Sequence, residues 1–391
     1  MNNDKHFRPL YCKLQDDIRS LISDRQLKTG DKIPSERELG ELYNASRSSI
    51  RKAIHDLIYE GVLSRIPGKG TFVVGDSNAL PSAIPKTGNI GFAVFFSSID
   101  RKRTDITDTN ADNLNTSPTI PFYSDVFEGA NRELETSGKH LLFFTAYQDA
   151  PAEVSRFKDF LKKIDGVILC ELATITLAKI FEKSRLPAVL ISPSIDTTPT
   201  KLDALLIDNR DGAYQATRFL IDLGHRNIGL INHPTKHNAP ATERLRGYKL
   251  ALKGFGIEFD TGKTEEGDWS MHSGYLAMKR LLKRNHDITA IFATNDEMAV
   301  GAMKAIKEEG MRIPEDISVI GFDDSSLSSN TFISLTTVRV YRREMGRYAA
   351  QRIIQRTTEP TLIPVKVVFP TQLIKRGTTT HSAIINTIEY R

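Results

Sequence analysis

The stretch Pro34-Ser35-Glu36-Arg37-Glu38-Leu39-Gly40-Glu41-Leu42-Tyr43-Asn44-Ala45-Ser46-Arg47-Ser48-Ser49-Ile50-Arg51-Lys52 reads as two short helices joined by a turn. Ser35 is placed to cap the first helix, and Glu38, three residues on, completes a capping box. Ser46 is placed to cap the second, after the Tyr43-Asn44-Ala45 turn. In that second helix Ile50, Ala53, Ile54, Leu57 and Ile58 recur at helical spacing and form a stripe to bury, while Arg47, Arg51 and His55 fall on another face with Ser48 and Lys52 beside them. No acidic residue occurs from Asn44 to His55. Capping hydroxyls, free backbone N–H groups, the positive end of the dipole and two arginines at one helix terminus suit a polyanion. A solvated basic face is the plainer alternative, and the helix-turn-helix spacing weighs against it in favour of DNA.

Working outward, Pro9 stands like a first-turn proline, and Leu10, Leu14, Ile18, Leu21 and Ile22 then recur every three or four residues as a core helix. Downstream, residues 62–66 and 71–74 read as two strands joined by Pro67-Gly68-Lys69-Gly70. Glycines on both sides of a lysine let the backbone approach a phosphate or a minor groove, although a structural hairpin has the same composition. Helix, helix-turn-helix and hairpin together make a winged helix (α+β).

The segments Gly30-Asp31-Lys32-Ile33-Pro34-Ser35-Glu36-Arg37-Glu38-Leu39, Ser46 through Ala53 and Gly68-Lys69-Gly70-Thr71-Phe72-Val73 resemble the GntR family of bacterial transcription regulators over residues 7–75. The resemblance implies that Arg37 and Arg47 approach base edges or phosphates. It implies also that Ser46, Ser48 and Arg51 fix the recognition helix, and that Lys69 and Gly70 enter the minor groove of double-stranded operator DNA.

The chain has 391 residues, enough for two or three domains, and a net charge of only +5, so any nucleic-acid surface must be local. Its two cysteines, Cys12 and Cys170, lie far apart, which argues against a disulfide framework and fits a reducing compartment. The amino-terminal residues carry no apolar signal core, and no apolar run reaches the length of a membrane span. The expectation is a cytoplasmic protein.

Two domains and a linker follow: a DNA-binding domain at 1–75, a linker at 76–87 with two prolines and no periodicity, and an effector and dimerisation domain at 88–391. In the last, strand-like runs at 90–96, 140–145, 166–170, 188–191, 204–207, 227–231, 290–293 and 317–320 alternate with helical patterns. The helical patterns lie at 124–137, 152–163, 211–223, 242–255, 272–283, 297–309 and 342–355. Such alternation predicts a two-lobed α/β domain with parallel sheets and a ligand site at the carboxyl ends of the strands. Asp208-Asn209, Asn295-Asp296 and Phe322-Asp323-Asp324 follow predicted strands. Acids, amides and arginines beside an aromatic wall suit a polyol, but each such residue is equally suited to cap a helix.

These residues resemble the lac repressor and galactose repressor family, whose effector domain is like a periplasmic sugar-binding protein, over residues 88–376. The resemblance rests on Asp208-Asn209, Leu223-Gly224-His225, Glu243-Arg244 with Arg246-Gly247-Tyr248, Gly267-Asp268-Trp269-Ser270, Ala293-Thr294-Asn295-Asp296 and the run from Ile313 to Asp324. It implies that Arg244, Asn295 and Asp323 hydrogen-bond a sugar effector and that Trp269, the only tryptophan, stacks on it, with Tyr123 and Asp125 contributing from the other lobe. The family's usual DNA module and hinge helix are replaced by the winged helix and linker. A polar insertion at 97–120 follows the first strand and reads as a surface loop, or alternatively as a lid. The pairing of the two modules is similar to the arabinose repressor class, which makes arabinose or a related sugar the leading effector.

His225, His233 and His237 have no ligand spacing that supports a metal, Gly68-Lys69-Gly70-Thr71 lacks the frame of a phosphate loop, and no nucleophile-base pairing stands out. No cofactor, metal or enzymatic activity is expected. The reading is a homodimeric repressor of carbohydrate-utilisation genes that leaves or is tuned on its operator by a sugar. An activator of the same architecture and a solute receptor without regulatory output are the alternatives.

Overall fold

The computed structural model describes residues 10–28, 30–59, 62–66, 70–73, 87–96, 119–147, 156–157, 159–171, 186–193, 202–236, 238–329, 331–359 and 362–382. The chain divides into two compact units, Met1–Lys86 and Thr87–Arg391. The proposed linker, apart from Thr87, lies outside the described residues, as do the hairpin tip with Lys69, most of the insertion at 97–120, and His237.

In the first unit α1 (Leu10–Asp24), α2 (Glu36–Leu42) and α3 (Arg47–Tyr59) precede the strands β1 (Leu63–Ile66) and β2 (Gly70–Val73). The apolar stripe of α3 does what its spacing predicts: Ile50, Ala53, Ile54 and Leu57 are buried with Leu14, Ile18 and Ile22 of α1 and Leu39 of α2. β1 and β2 pair antiparallel, and the segment before α2 joins them through Ile33 N–H to Thr71 O at 3.0 Å and Val73 N–H to Asp31 O at 2.8 Å. Ser35 and Glu38 form the capping box, with Ser35 N–H donating to the Glu38 carboxylate at 2.7 Å and Glu38 N–H to Ser35 Oγ at 3.3 Å.

The second unit runs through β3 (Asn89–Phe96), α4 (Thr119–Thr136), β4 (His140–Tyr147), β5 (Gly166–Cys170), β6 (Ala188–Ile191), β7 (Asp203–Ile207), α5 (Asn209–Asp222), β8 (Ile228–Asn232) and α6 (Ala239–Gly254). It continues with β9 (Thr264–Glu266), α7 (Met271–Arg284), β10 (Ala290–Ala293), α8 (Asp296–Glu308), β11 (Ser318–Ile320), α9 (Ser326–Ser329), β12 (Thr337–Val340), α10 (Arg342–Thr358), β13 (Lys366–Phe369) and β14 (Thr371–Ile374). The strands build two parallel sheets, ordered β13-β7-β6-β5-β3-β4 and β11-β10-β8-β9, plus the antiparallel pair β12-β14. Strands such as β5, β6, β8 and β10 are buried along their whole length, as parallel strands covered on both faces must be.

Each sheet with its helices is one lobe, and the chain changes lobe at three places. It leaves the first sheet between β7 and α5, which packs on β12 and β14, and returns between β12 and α10, which packs on α4. It leaves once more at Pro370, because β13 pairs with β7 while β14 pairs with β12. The short strands β9, β12, β13 and β14 carry no strong periodic signal: Lys366–Phe369 is an edge strand with an exposed Val368, and the proline interrupts its pattern. α4 starts five residues before the predicted 124, and α6 three before 242, where Asn238 caps it through Ala241 N–H at 2.9 Å and a proline follows.

Candidate DNA-reading surface and effector cavity

In the first unit, Ser46 caps α3, accepting from Ser49 N–H at 3.2 Å, and its hydroxyl also meets those of Ser48 at 2.9 Å and Ser49 at 2.8 Å. Arg37, Arg47, Ser48 and Arg51 are exposed. The arginines are not unopposed, however. Glu36, whose side chain is 13% exposed, takes Arg51 at 3.1 Å, Arg65 of β1 at 3.3 Å and Arg47 at 3.7 Å. These three cations outweigh the cost of burial and hold its carboxyl below the usual range. One carboxylate thus gathers arginines from α3 and from the hairpin. Its role is not visible in the acid-free run from 44 to 55, because Glu36 belongs to the preceding helix. Arg37 lies apart from this group, 3.8 Å from Glu41. Gly70 adopts φ +127°, so its backbone favours glycine, and the end of the Lys32 side chain lies where a Cβ would be.

In the second unit the carboxyl ends of the strands surround a cavity of about 180 Å³. Four of its lining residues, Glu171, Ser192, Trp269 and Asp323, have positive φ values of 56°, 43°, 70° and 111°, a conformation that non-glycine residues adopt at a cost and that concentrates at functional sites. Tight turns shortly after strands β5, β6, β9 and β11 place these residues at the cleft.

Arg244, on α6, is the centre of the second lobe's wall. Its side chain is buried, its Nε donates to Asn209 Oδ1 at 2.8 Å, one terminal nitrogen donates to Thr294 O, and the other reaches Asp323 Oδ1 at 3.5 Å. The guanidinium also lies 3.8 Å over the Phe322 ring and 5.4 Å from that of Trp269. Burial lowers the pKa of Arg244 and raises that of Asp323 despite their mutual attraction, so this pair is held by the fold rather than being a source of stability. Asn295 caps α8 through Met298 N–H at 3.0 Å, and its Nδ2 donates to Trp269 O at 2.8 Å. The capping and ligand readings of Asn295 are therefore compatible, since the same residue lines the cavity. The Trp269 indole is stacked on His233 with centroids 4.9 Å apart.

From the first lobe come Phe122, Ser124 and Asp125 of α4. Tyr123 does not join them: it is 2% exposed, packed in the core, and its hydroxyl donates to Glu171 Oε1 at 2.9 Å. The helical rotation between adjacent residues sends Phe122 to the cavity and Tyr123 away from it. Asp125 receives Arg342 at 2.7 Å. Arg342, at the start of α10, also donates to Asp323 O at 2.7 Å, and so ties the first lobe to the second at the cavity wall.

Arg342, Glu171 and Glu297 are charged lining residues absent from the sequence-based candidates, and Asp296 was named there only as following a strand and within the family motif. Glu171 follows β5 directly and obeys the same rule that singled out Asp208 and Asn295. Arg342 follows β12, a strand too short to be recognised, and so had no signal. Asp296 is buried, accepts from Ser325 N–H at 2.6 Å and from the Thr337 hydroxyl at 2.5 Å, and is pushed up to about 7 by burial and by Asp323. Glu297 is pushed up to about 8 by burial, then by Asp323 and Asp296.

Of the three histidines, His225 is buried and meets Thr289 Oγ1 at 2.9 Å and Ser318 Oγ at 3.1 Å, a different place from His233 beside Trp269. Among the described residues no helix is long and apolar enough to cross a membrane.

Comparison with known proteins places both units. Residues 10–73 match the gntR family of bacterial regulatory proteins, and residues 217–379 match the periplasmic binding protein-like domain. The chain is 33% identical to the HTH-type transcriptional regulator CelR of Thermobifida fusca over 259 residues, 66% of this chain and 75% of that protein. It is 26% identical to the arabinose metabolism transcriptional repressor of Geobacillus stearothermophilus over 386 residues, 95% of this chain and 98% of that one. Among solved structures, a complex of the transcriptional regulator CelR with cellobiose has a TM-score of 0.64 at 25% identity, covering 88% of this chain and all of that chain (100%).

Proposed function

Because the chain belongs to the lac repressor and galactose repressor type of transcription regulators, carrying here a gntR-family reader, we propose that it represses carbohydrate-utilisation genes and is tuned on its operator by a small sugar. The observation that carries this reading is the cavity itself. Trp269 and Phe122 supply apolar ring surface, and Arg244, Asn295 and Asp323 supply directional hydrogen-bonding groups, at the carboxyl ends of the strands where an α/β sheet receives its ligand. Arg37, Ser46, Arg47, Ser48, Arg51, Lys69 and Gly70 form the DNA-binding set, and Asp125, Arg244, Trp269, Asn295 and Asp323 the effector set. Tyr123 acts behind the cavity wall by holding Glu171.

Two copies reading a pseudo-palindromic operator in the cytoplasm complete the proposal, since a dimeric reader maps its two-fold axis onto two half-sites. Sugar binding stabilises one lobe arrangement, and only a difference in DNA affinity between arrangements lets the sugar act as a switch. Arabinose, from the relative that spans nearly the whole chain, is the first sugar to try. A gel-shift assay on the gene's own upstream DNA, with and without each member of a sugar panel, tests the reading. Retarded DNA that one sugar releases or tightens is the expected result. DNA binding indifferent to every sugar, or none at moderate salt, overturns it.

A further inference from the structure

Charge is unevenly committed among the groups that face the effector cavity. Both guanidinium groups are already engaged. Arg244 is bonded through all three nitrogens to Asn209, Thr294 and Asp323, while Arg342 is bonded to Asp125 and to the carbonyls of Asp323 and Asp324. Most carboxylates are committed too. Asp125 has Arg342, Asp323 has Arg244, Asp296 has Ser325 N–H and the Thr337 hydroxyl, and Glu171 receives Tyr123.

Glu297 differs. It lies in the first turn of α8 and lines the cavity half-buried, yet among the described residues its carboxyl group has neither a hydrogen-bond donor nor a cation beside it. The charges that act on it are those of Asp323 and Asp296, both of its own sign. The protein leaves a carboxyl group in this position for water or a ligand to pair.

Resting on the effector reading above, we propose that Glu297 is a specificity-determining residue that makes the cavity charge-selective, admitting neutral and amine-bearing sugars while excluding sugar acids and sugar phosphates. In the empty cavity the Glu297 carboxyl holds its proton at neutral pH, and an ammonium group beside it favours the ionised form and makes a charge-assisted hydrogen bond with it. A hydroxyl supplies the donor without the charge. A ligand carboxylate or phosphate brings a charge of the same sign as Asp323 and Asp296 beside them and finds the two arginines occupied. Burial is the larger cause that lifts the Glu297 carboxyl to about 8, and the next causes, the charges of Asp323 and Asp296, are what an entering anion would also meet.

Thermal-shift titration of the full chain against matched sets of sugars tests this. Each set holds one pentose or hexose with its 2-amino-2-deoxy, uronate and phosphate derivatives, beginning from arabinose, ribose, galactose and glucose. In the responding set, the neutral and amino members should raise Tm, the amino member at about tenfold lower concentration, and the acid and phosphate should not raise it. Glu297→Gln should bring the amine-to-neutral ratio close to one. A uronate or phosphate as effective as its neutral parent, or an amine-to-neutral ratio unchanged by Glu297→Gln, overturns the charge selectivity and leaves the effector reading standing. The first of these outcomes is read on the unaltered protein and does not depend on a variant that folds. Silence across every set brings down the effector reading, and this proposal with it.

Discussion

Arg342 and Asp125 form a 2.7 Å ion pair that closes one side of the effector cavity, and the same guanidinium donates to Asp323 O across the change of lobe. The pair therefore couples the two lobe walls at the place where a ligand would lie. Its charges sit unequally in water: the Arg342 side chain is 6% exposed and that of Asp125 is 28% exposed. Replacing Asp125 by Asn leaves the buried guanidinium with its carbonyl acceptors but without its counter-ion. The expected loss is about 1–3 kcal/mol of stability, measured as a lower urea midpoint, together with weaker sugar binding. An unchanged midpoint would show that the pair is solvated rather than tied.

The reader and the sensor should be separable by single substitutions. Arg47→Ala removes an exposed arginine from the start of α3, and operator affinity should fall by ~1–3 kcal/mol in a gel-shift titration while sugar-induced thermal shifts stay the same. Glu36→Gln should also change DNA binding, although Glu36 lies at the start of α2 and carries the wrong charge for a phosphate contact, because it frees Arg47, Arg51 and Arg65 together. A full-strength complex after Arg47→Ala would refute the assignment of the recognition helix.

Asp323→Ala should do the reverse, abolishing the sugar response and leaving DNA binding intact. The substitution removes a cavity acid and the carboxylate facing the buried Arg244 guanidinium. Isothermal titration with the sugar that responds in the thermal screen would read the loss directly, and an unaltered Kd would place the effector elsewhere.

The acid cluster sets a direction for pH dependence. Folding raises the carboxyl of Glu297 from its ordinary 4.5 to about 8, and that of Asp296 from 3.8 to about 7, with burial the larger cause and Asp323 the next. An acid whose pKa is raised in the folded chain keeps its proton there while the unfolded chain has lost it. These two groups therefore cost nothing at pH below about 4 and lower the stability progressively as pH rises to about 8. The slope is at most about 1.4 kcal/mol per pH unit for each group. Urea midpoints measured between pH 5 and pH 8 should show Glu297→Gln gaining on the parent protein as pH increases, with Asp323 and Arg244 still in place. A constant difference across that range would mean that Glu297 is ionised in the folded chain.

Packing between α4 and α10 gives a prediction of the opposite kind, with no charge involved. A Cβ on Gly346 would overlap the Val126 carbonyl oxygen, and one on Gly129 would overlap that of Arg343, so the two helices touch backbone to backbone. Alanine is the better helix former by roughly 0.8–1.0 kcal/mol, yet Gly346→Ala should destabilise by about 1–3 kcal/mol because neither helix backbone can withdraw. Chemical denaturation decides the sign.

How far the residues themselves spoke depended on the range of the interaction. The capping box of Ser35 and Glu38, the buried stripe of α3 and the buried strands β5, β8 and β10 were readable because each is written in neighbours at fixed spacing. Asp323 and Asn295 were readable as residues that follow strands, and they and Trp269 through the resemblance to a sugar-binding pattern. β13 and β14 were not, since two four-residue strands on either side of Pro370 owe their existence to partners far away in the chain.

By itself the sequence determined the two modules, the alternation that yields parallel sheets and the chemical character of the residues at the strand ends. Hydrophobic periodicity, caps and turns act over a few residues, so they survive without a fold around them. Only the tertiary structure decided that Phe122 rather than Tyr123 faces the cavity, that Glu36 gathers three arginines, that Arg342 is a wall residue and that Glu297 alone among the cavity carboxyls lacks a described partner. Burial, electric field and the commitment of donors are set by groups distant in sequence, and these are what turn a list of polar residues into a site with a preferred charge.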